Sequence, residues 1–129
     1  MHALIIEDEP ITAMLIEDQL RALGYASIDF AVTEAEAVAA AGRRRPDLIT
    51  ADVRLSEGCG IAAVEAICGG QRVPVVFITG NVAEVRTRLR AAVVVPKPFG
   101  AHHISEAIWA ATGAAATTRY APVPKPRPS

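Results

Sequence analysis

The stretch "HALIIEDEP", residues 2–10, runs four apolar side chains straight into three acids and a proline. An apolar run of this length, with β-branched isoleucines at its end, reads as a strand. Pro10, whose fixed φ suits a first helical turn, marks a helix start with acids beside its positive end. A strand that feeds directly into a helix is the opening half of a βαβ unit. The rest of the chain repeats it.

Ile11, Leu15 and Ala22, with Met14, Ile16, Leu20 and Leu23, recur at helical spacing up to Gly24, a natural stop. "SIDFAV" (27–32) alternates as a more exposed strand does. "TEAEAVAAAG" (33–42) reads as a helix with Thr33 as cap and Glu36 three residues on, a capping-box pattern. "DLITAD" (47–52) is a third strand, and "GIAAVEAIC" (60–68) a helix stopped by Gly69 and Gly70. "VPVVFITG" (73–80) is a β-branched, buried strand, followed by a short helix, "VAEVRTRLR" (82–90). "AAVVVP" (91–96) makes a fifth strand and "AHHISEAIWAATG" (101–113) a last helix. Five strands alternating with five helices predict an α/β fold, a five-stranded parallel sheet with helices on both faces. Crossovers should be right-handed, and ligands should bind at the carboxyl ends of the strands, where strand order reverses.

The chain's 129 residues suit one domain with a proper core. We place that domain at 1–113 and read 114–129, with four prolines in its last eight residues, as an extended or flexible tail. Up to Gly113 there are 14 acids against 10 bases, while the tail adds Arg119, Lys125 and Arg127. The body is therefore poorly suited to nucleic acid, which selects clustered positive charge. No apolar stretch approaches the roughly 20 residues that span a bilayer. The start lacks the basic and long apolar regions of a signal peptide, so the cytoplasm is expected. Cys59 and Cys68, nine apart, match no zinc or redox spacing and read as reduced structural cysteines.

The polar residues at the strand ends form a coherent set. Glu7, Asp8 and Glu9 follow the first strand, Asp52 ends the third, Thr79 and Gly80 end the fourth, and Lys97 follows the fifth between two prolines. In a parallel sheet these tips share one edge. Converging carboxylates repel, and a hard divalent cation such as Mg²⁺ resolves the repulsion with oxygen ligands. Asp8 and Asp52 are the natural ligands, with Glu7 close behind and a backbone carbonyl just past Asp52, that of Arg54, as a further one. A cation, an ammonium and a hydroxyl aimed at one carboxylate form a site for phosphoryl transfer, with Asp52 as nucleophile. Taken singly, each residue has an ordinary structural role: Asp52 as a cap, Thr79 as a strand former, Lys97 as a loop lysine. Together they point to chemistry.

This pattern resembles the receiver domains of bacterial two-component response regulators over about residues 1 to 113. "LIIEDEP" matches the family's acidic pair, so the resemblance gives Glu7 and Asp8 to Mg²⁺ and makes Asp52, 44 residues after Asp8, the phosphoacceptor. Gly60 fits a glycine usually found eight residues later, Thr79 the switch hydroxyl, and Lys97 to Phe99 the lysine with its typically cis proline. The resemblance implies the flavodoxin-like strand order 2-1-3-4-5. It assigns Arg54 and Asn81, two past the phosphoacceptor and two past the switch residue, to tuning phosphoryl lifetime.

Three departures stand out. Val94 occupies the position of the usual switch aromatic, Ser56 replaces a common loop proline, and 17 residues lie between Thr79 and Lys97, predicting a short or irregular fourth helix. "VFITGN" is similar to the Phe-x-Thr-Gly stretch of single-domain receivers in general stress response signalling.

The expected function is that of a stand-alone receiver phosphorylated on Asp52 by a histidine kinase or histidine phosphotransfer protein. It would signal by protein contact through the fourth helix, fifth strand and fifth helix, or pass the group onward, with no direct DNA binding, no membrane and no enzymatic turnover. Arg86 and Arg90, four apart, are expected on one face of that fourth helix, and His102 and His103 on the surface. The alternative is a phosphorylation-independent interaction module on the same scaffold. A Mg²⁺-dependent phosphatase is disfavoured by Arg54, which stands where such enzymes place a second acid.

Overall fold

Alternating side chains decide which helices cover which face of the sheet. The computed structural model describes residues 1–70 and 72–116. Its strands are β1 (His2–Ile6), β2 (Ser27–Ala31), β3 (Leu48–Ala51), β4 (Val75–Thr79) and β5 (Val93–Pro96). The helices between and after them are α1 (Pro10–Ala22), α2 (Glu34–Arg43), α3 (Gly60–Cys68), α4 (Val82–Arg88) and α5 (Ala101–Ala116). All strands pair in parallel, in the order β2-β1-β3-β4-β5. Along β1, Leu4 and Ile6 join Ile49, Ala51 and Phe77 in a core sealed by α2, α3 and Val85 of α4. Ala3 and Ile5 point the other way, joining Leu48, Val76 and Ile78 under α1 and α5. The inner strands are mostly apolar because both faces are covered.

Local signals act as the sequence reading expects, with small shifts. The Thr33 hydroxyl accepts the Glu36 N–H at 3.0 Å, but Glu36 reaches back to the Val32 N–H at 2.9 Å, one residue before the cap itself. Gly24 ends α1 with φ at 101°, a conformation that glycine adopts without strain. Two expectations change. The α4 helix stops at Arg88, so Arg90 lies beyond it and does not share a helical face with Arg86. The Leu89 N–H still bonds the Val85 carbonyl, but Leu89 is already extended at ψ 81°, because the short connection to β5 leaves no room for another turn. The α5 helix continues past Gly113 to Ala116, since one glycine costs a helix only about 1 kcal/mol and three alanines follow. The expectation for the rest of the tail falls on 117–129, outside the described residues. Among the described residues no helix is long and apolar enough to cross a membrane.

Among the described residues one buried side-chain polar atom is unmatched. Thr50 lies in register between Ile5 and Val76, 1% exposed, and its hydroxyl has no hydrogen-bond partner. A desolvated hydroxyl without a partner destabilises a core. Thr50→Val keeps the shape and removes the hydroxyl, so it should raise stability by about 1 kcal/mol. A urea midpoint equal to or below that of the parent would contradict this.

Candidate functional site

Register brings the first two acids together. Ile6 and Ala51 are partners across β1 and β3, so the next residues, Glu7 and Asp52, leave adjacent strands at the same level. The ladder continues through them: the Asp52 N–H donates to the Ile6 carbonyl at 3.0 Å, and the Glu7 N–H to the Ala31 carbonyl at 2.9 Å. Strand order reverses between β1 and β3, the place where open parallel sheets bind ligands. On the far side Thr79 pairs with Pro96, and the Lys97 N–H donates to the Thr79 carbonyl at 3.0 Å. That delivers the Lys97 side chain to the same edge. The Lys97–Pro98 bond is cis, as the family resemblance implies.

The ammonium of Lys97 bridges the acids. It donates to Glu7 Oε1 at 2.9 Å and to Asp52 Oδ2 at 2.8 Å, with Glu9 Oε1 at 3.5 Å. Asp52 Oδ1 accepts the Val53 N–H at 2.7 Å, and Glu7 Oε2 accepts the Glu9 N–H at 3.2 Å. Glu7 and Asp52 are buried and Asp8 half-buried. Glu7, Asp8 and Asp52 each offer a carboxylate oxygen within 4.8 Å of the others. Burial pushes the Glu7 carboxyl above its ordinary 4.5, against the pull of Lys97. Burial also works against the Lys97 ammonium, but hydrogen bonds to Asp52 and Glu7 outweigh it and raise its pKa. Burial thus dominates at Glu7, while the two carboxylates dominate at Lys97. An all-oxygen, anionic donor set of this kind suits a hard divalent cation.

A second group adjoins the acids. Thr79 is fully buried, and its hydroxyl oxygen accepts the Asn81 N–H at 3.0 Å. Arg54 Nε donates to Asn81 Oδ1 at 3.2 Å, tying the segment after β3 to the one after β4. Gly60 packs against the phosphoacceptor candidate, and a Cβ there would collide with the Asp52 carbonyl oxygen. Val94 is half-buried in register beside Phe77, so an aliphatic side chain fills the position of the usual aromatic. His102 and His103 are exposed at the start of α5, where the Gly100 N–H donates to His103 Nδ1 at 3.0 Å. Both cysteines are free, Cys59 just before α3 and Cys68 at its end. The sequence reading placed the acids and Lys97 at one edge; it did not anticipate the Arg54–Asn81 bond, because two loop residues 27 apart carry no local signal.

Removing the cation should expose the cost of burying Glu7. We expect Lys97→Met to lose about 3 kcal/mol at neutral pH without added metal, since a buried carboxylate loses its partner. The raised pKa of Glu7 sets the sign of the pH dependence. Once Glu7 takes up its proton in acid, the difference from wild type should shrink. Urea unfolding at pH 7 and below pH 5 checks both points, and an equal loss at the two pH values would refute the charge argument.

Known proteins share this sequence pattern and fold. The response regulator receiver domain family matches residues 3–109. The phyllosphere-induced regulator PhyR of Methylorubrum extorquens is 40% identical over 109 residues, 81% of this chain but only 41% of that protein. The chain thus spans about two fifths of this relative's length. The solution structure of the PhyR receiver domain from Erythrobacter litoralis superposes with TM-score 0.75 at 39% identity, covering 84% of this chain and 89% of that one. The receiver domain of the sensor histidine kinase PA1611 from Pseudomonas aeruginosa has TM-score 0.72 and 30% identity, covering 87% of this chain and 97% of that one. It holds a magnesium ion in its active-site cleft. Matched along nearly all of its described length and in the order of its strands, this chain belongs to the response regulator receiver domain family.

Proposed function

We propose that this chain is a receiver that takes a phosphoryl group onto Asp52 from a histidine kinase or histidine phosphotransfer protein. The observation that carries the reading is Lys97 bonded to both Glu7 and Asp52 inside a triad of acids at the β1–β3 switch point. Asp52 Oδ2, held by Lys97, lies in a buried and pre-oriented carboxylate, and Oδ1 is fixed by the Val53 N–H. In transfer, one Asp52 oxygen attacks phosphorus as the nitrogen–phosphorus bond of phosphohistidine breaks, and the electron pair returns to the imidazole. Lys97 follows the charge that builds on the phosphoryl oxygens. Glu7, Asp8, Asp52 and the Arg54 carbonyl would hold Mg²⁺, which when bound neutralises charge on the phosphoryl oxygens. Thr79 would release the Asn81 N–H and turn its hydroxyl to the new phosphoryl group.

The signal then leaves by phosphorylation-dependent protein contact through α4, β5 and α5, or by onward phosphotransfer. Arg86 and Arg88 are exposed there, although Arg88 is already engaged with Glu65 at 3.2 Å. On the other side, α1 starts just past the acids and exposes Ile11, Met14 and Leu15. An apolar cluster of this kind supports docking of a partner beside the tip. Similarity to PhyR, a stress response regulator, supports a place in stress signalling. We place the protein in the cytoplasm, without turnover chemistry and without direct DNA contact.

Two measurements test the reading. Beryllofluoride with Mg²⁺, or a cognate phosphodonor, should shift the amide spectrum of wild type and leave Asp52→Ala unchanged. Equal responses would sink it, and equal partner capture by both proteins would favour the phosphorylation-independent module. The Arg54–Asn81 bond should shield the phosphoryl group as a unit. Arg54→Ala and Asn81→Ala should then shorten its lifetime alike, and the double variant should add little to either, as expected for coupled residues. Loss of radiolabel over time would show it; strictly additive effects would mean that the residues act separately.

A further inference from the structure

The segment after Asp52 is held from outside at several points, one of them the Glu34 side chain. Residues 53–59 join β3 to α3 and carry the Arg54 carbonyl. Inside this loop, the Gly60 N–H donates to the Val53 carbonyl at 2.8 Å, and Arg54 bridges Cys59. From outside come three bonds to the β2–α2 junction. The Ser56 hydroxyl donates to the Val32 carbonyl at 2.9 Å. The Glu34 N–H donates to the Glu57 carbonyl at 3.0 Å, and the Cys59 N–H donates to Glu34 Oε1 at 3.0 Å. Glu34 therefore holds the loop on both sides of Gly58.

Gly58 lies beneath that side chain. Its φ is +87°, and a Cβ there would come within 2.5 Å of Glu34 Cβ and 2.7 Å of Oε1. Cys59 is the N-cap of α3, yet its own side chain makes no capping bond. Glu34 supplies the acceptor from another helix, a charged group at the positive end of α3. The next residue, Gly60, abuts the Asp52 carbonyl oxygen. A shift at Cys59 is thus passed along the backbone to the atoms beside Asp52.

We infer that Glu34 is a positioning residue of the phosphoryl site, fixing the loop that follows Asp52 through the Cys59 N–H. This rests on the phosphoryl-acceptor reading above, in which that loop helps to hold Mg²⁺. The bond needs an oxygen acceptor at Oε1, so glutamine should serve where alanine fails.

The test is calorimetric titration of the full chain with Mg²⁺, together with hydrogen exchange at the Cys59 amide and thermal unfolding. Glu34→Ala should bind Mg²⁺ about tenfold more weakly, in the range found when groups that orient metal ligands are removed. Its Cys59 amide should lose protection. Glu34→Gln should keep both properties within about twofold of wild type, a rescue that general destabilisation does not produce. Should Glu34→Ala prove too unstable, Gly58→Ala, whose methyl displaces the Glu34 side chain, should weaken Mg²⁺ binding in the same way. Wild-type Mg²⁺ affinity in a Glu34→Ala protein with an unprotected Cys59 amide would overturn the inference while leaving the phosphoacceptor reading intact. Glutamine as defective as alanine would overturn it too, by showing that charge rather than the hydrogen bond matters. If wild type bound no Mg²⁺ at all, the proposed function would fall first and this inference with it.

Discussion

Everything at the working edge of this domain depends on placing several carboxylates around one ammonium. Glu7 is 3% exposed and Asp52 8%, and Lys97 is hydrogen-bonded to both at under 3 Å. Carboxylates crowded together out of water repel each other and lose hydration. Lys97 offsets part of that cost, its own pKa raised by the two carboxylates, while burial still pushes the Glu7 carboxyl up. The site is built short of positive charge. Such a place suits a hard divalent cation with oxygen ligands.

The scaffold supplies the rigidity that this arrangement requires. Because β1 and β3 are central and paired in register, Glu7 and Asp52 are fixed by backbone hydrogen bonds rather than by loops. The groups to which the proposed response is assigned make fewer side-chain bonds. The Thr79 hydroxyl accepts one backbone N–H, the Arg54 and Asn81 side chains share one hydrogen bond, and α4 is only seven residues long. Small elements with few bonds can take two arrangements, which a phosphoryl group can bias. On β5, Val94 sets an aliphatic side chain in register beside Phe77.

Much of the fold was legible because its signals are local. Apolar runs separated by Pro10, Gly24, Thr33 and the Gly69–Gly70 pair mark the elements within a few residues, and these dictate five strands and five helices. The ends of α4 and α5 were less legible. A helix end depends on whether the next residues pack, so Arg90 fell outside α4 and the alanines after Gly113 continued α5.

The sequence by itself determined the residue types at the strand tips: acids after β1, Asp52 after β3, Thr79 closing β4 and Lys97 after β5. These follow from chain order, and the parallel alternation assigns all of them to one edge. Only the tertiary structure decided which of them touch. Lys97 meets Glu7 across 90 residues, Arg54 finds Asn81 across 27, and Glu34 caps α3 from another helix across 25. Those meetings depend on register and loop path, set by the packing of both sheet faces at once. No short window of sequence contains that information.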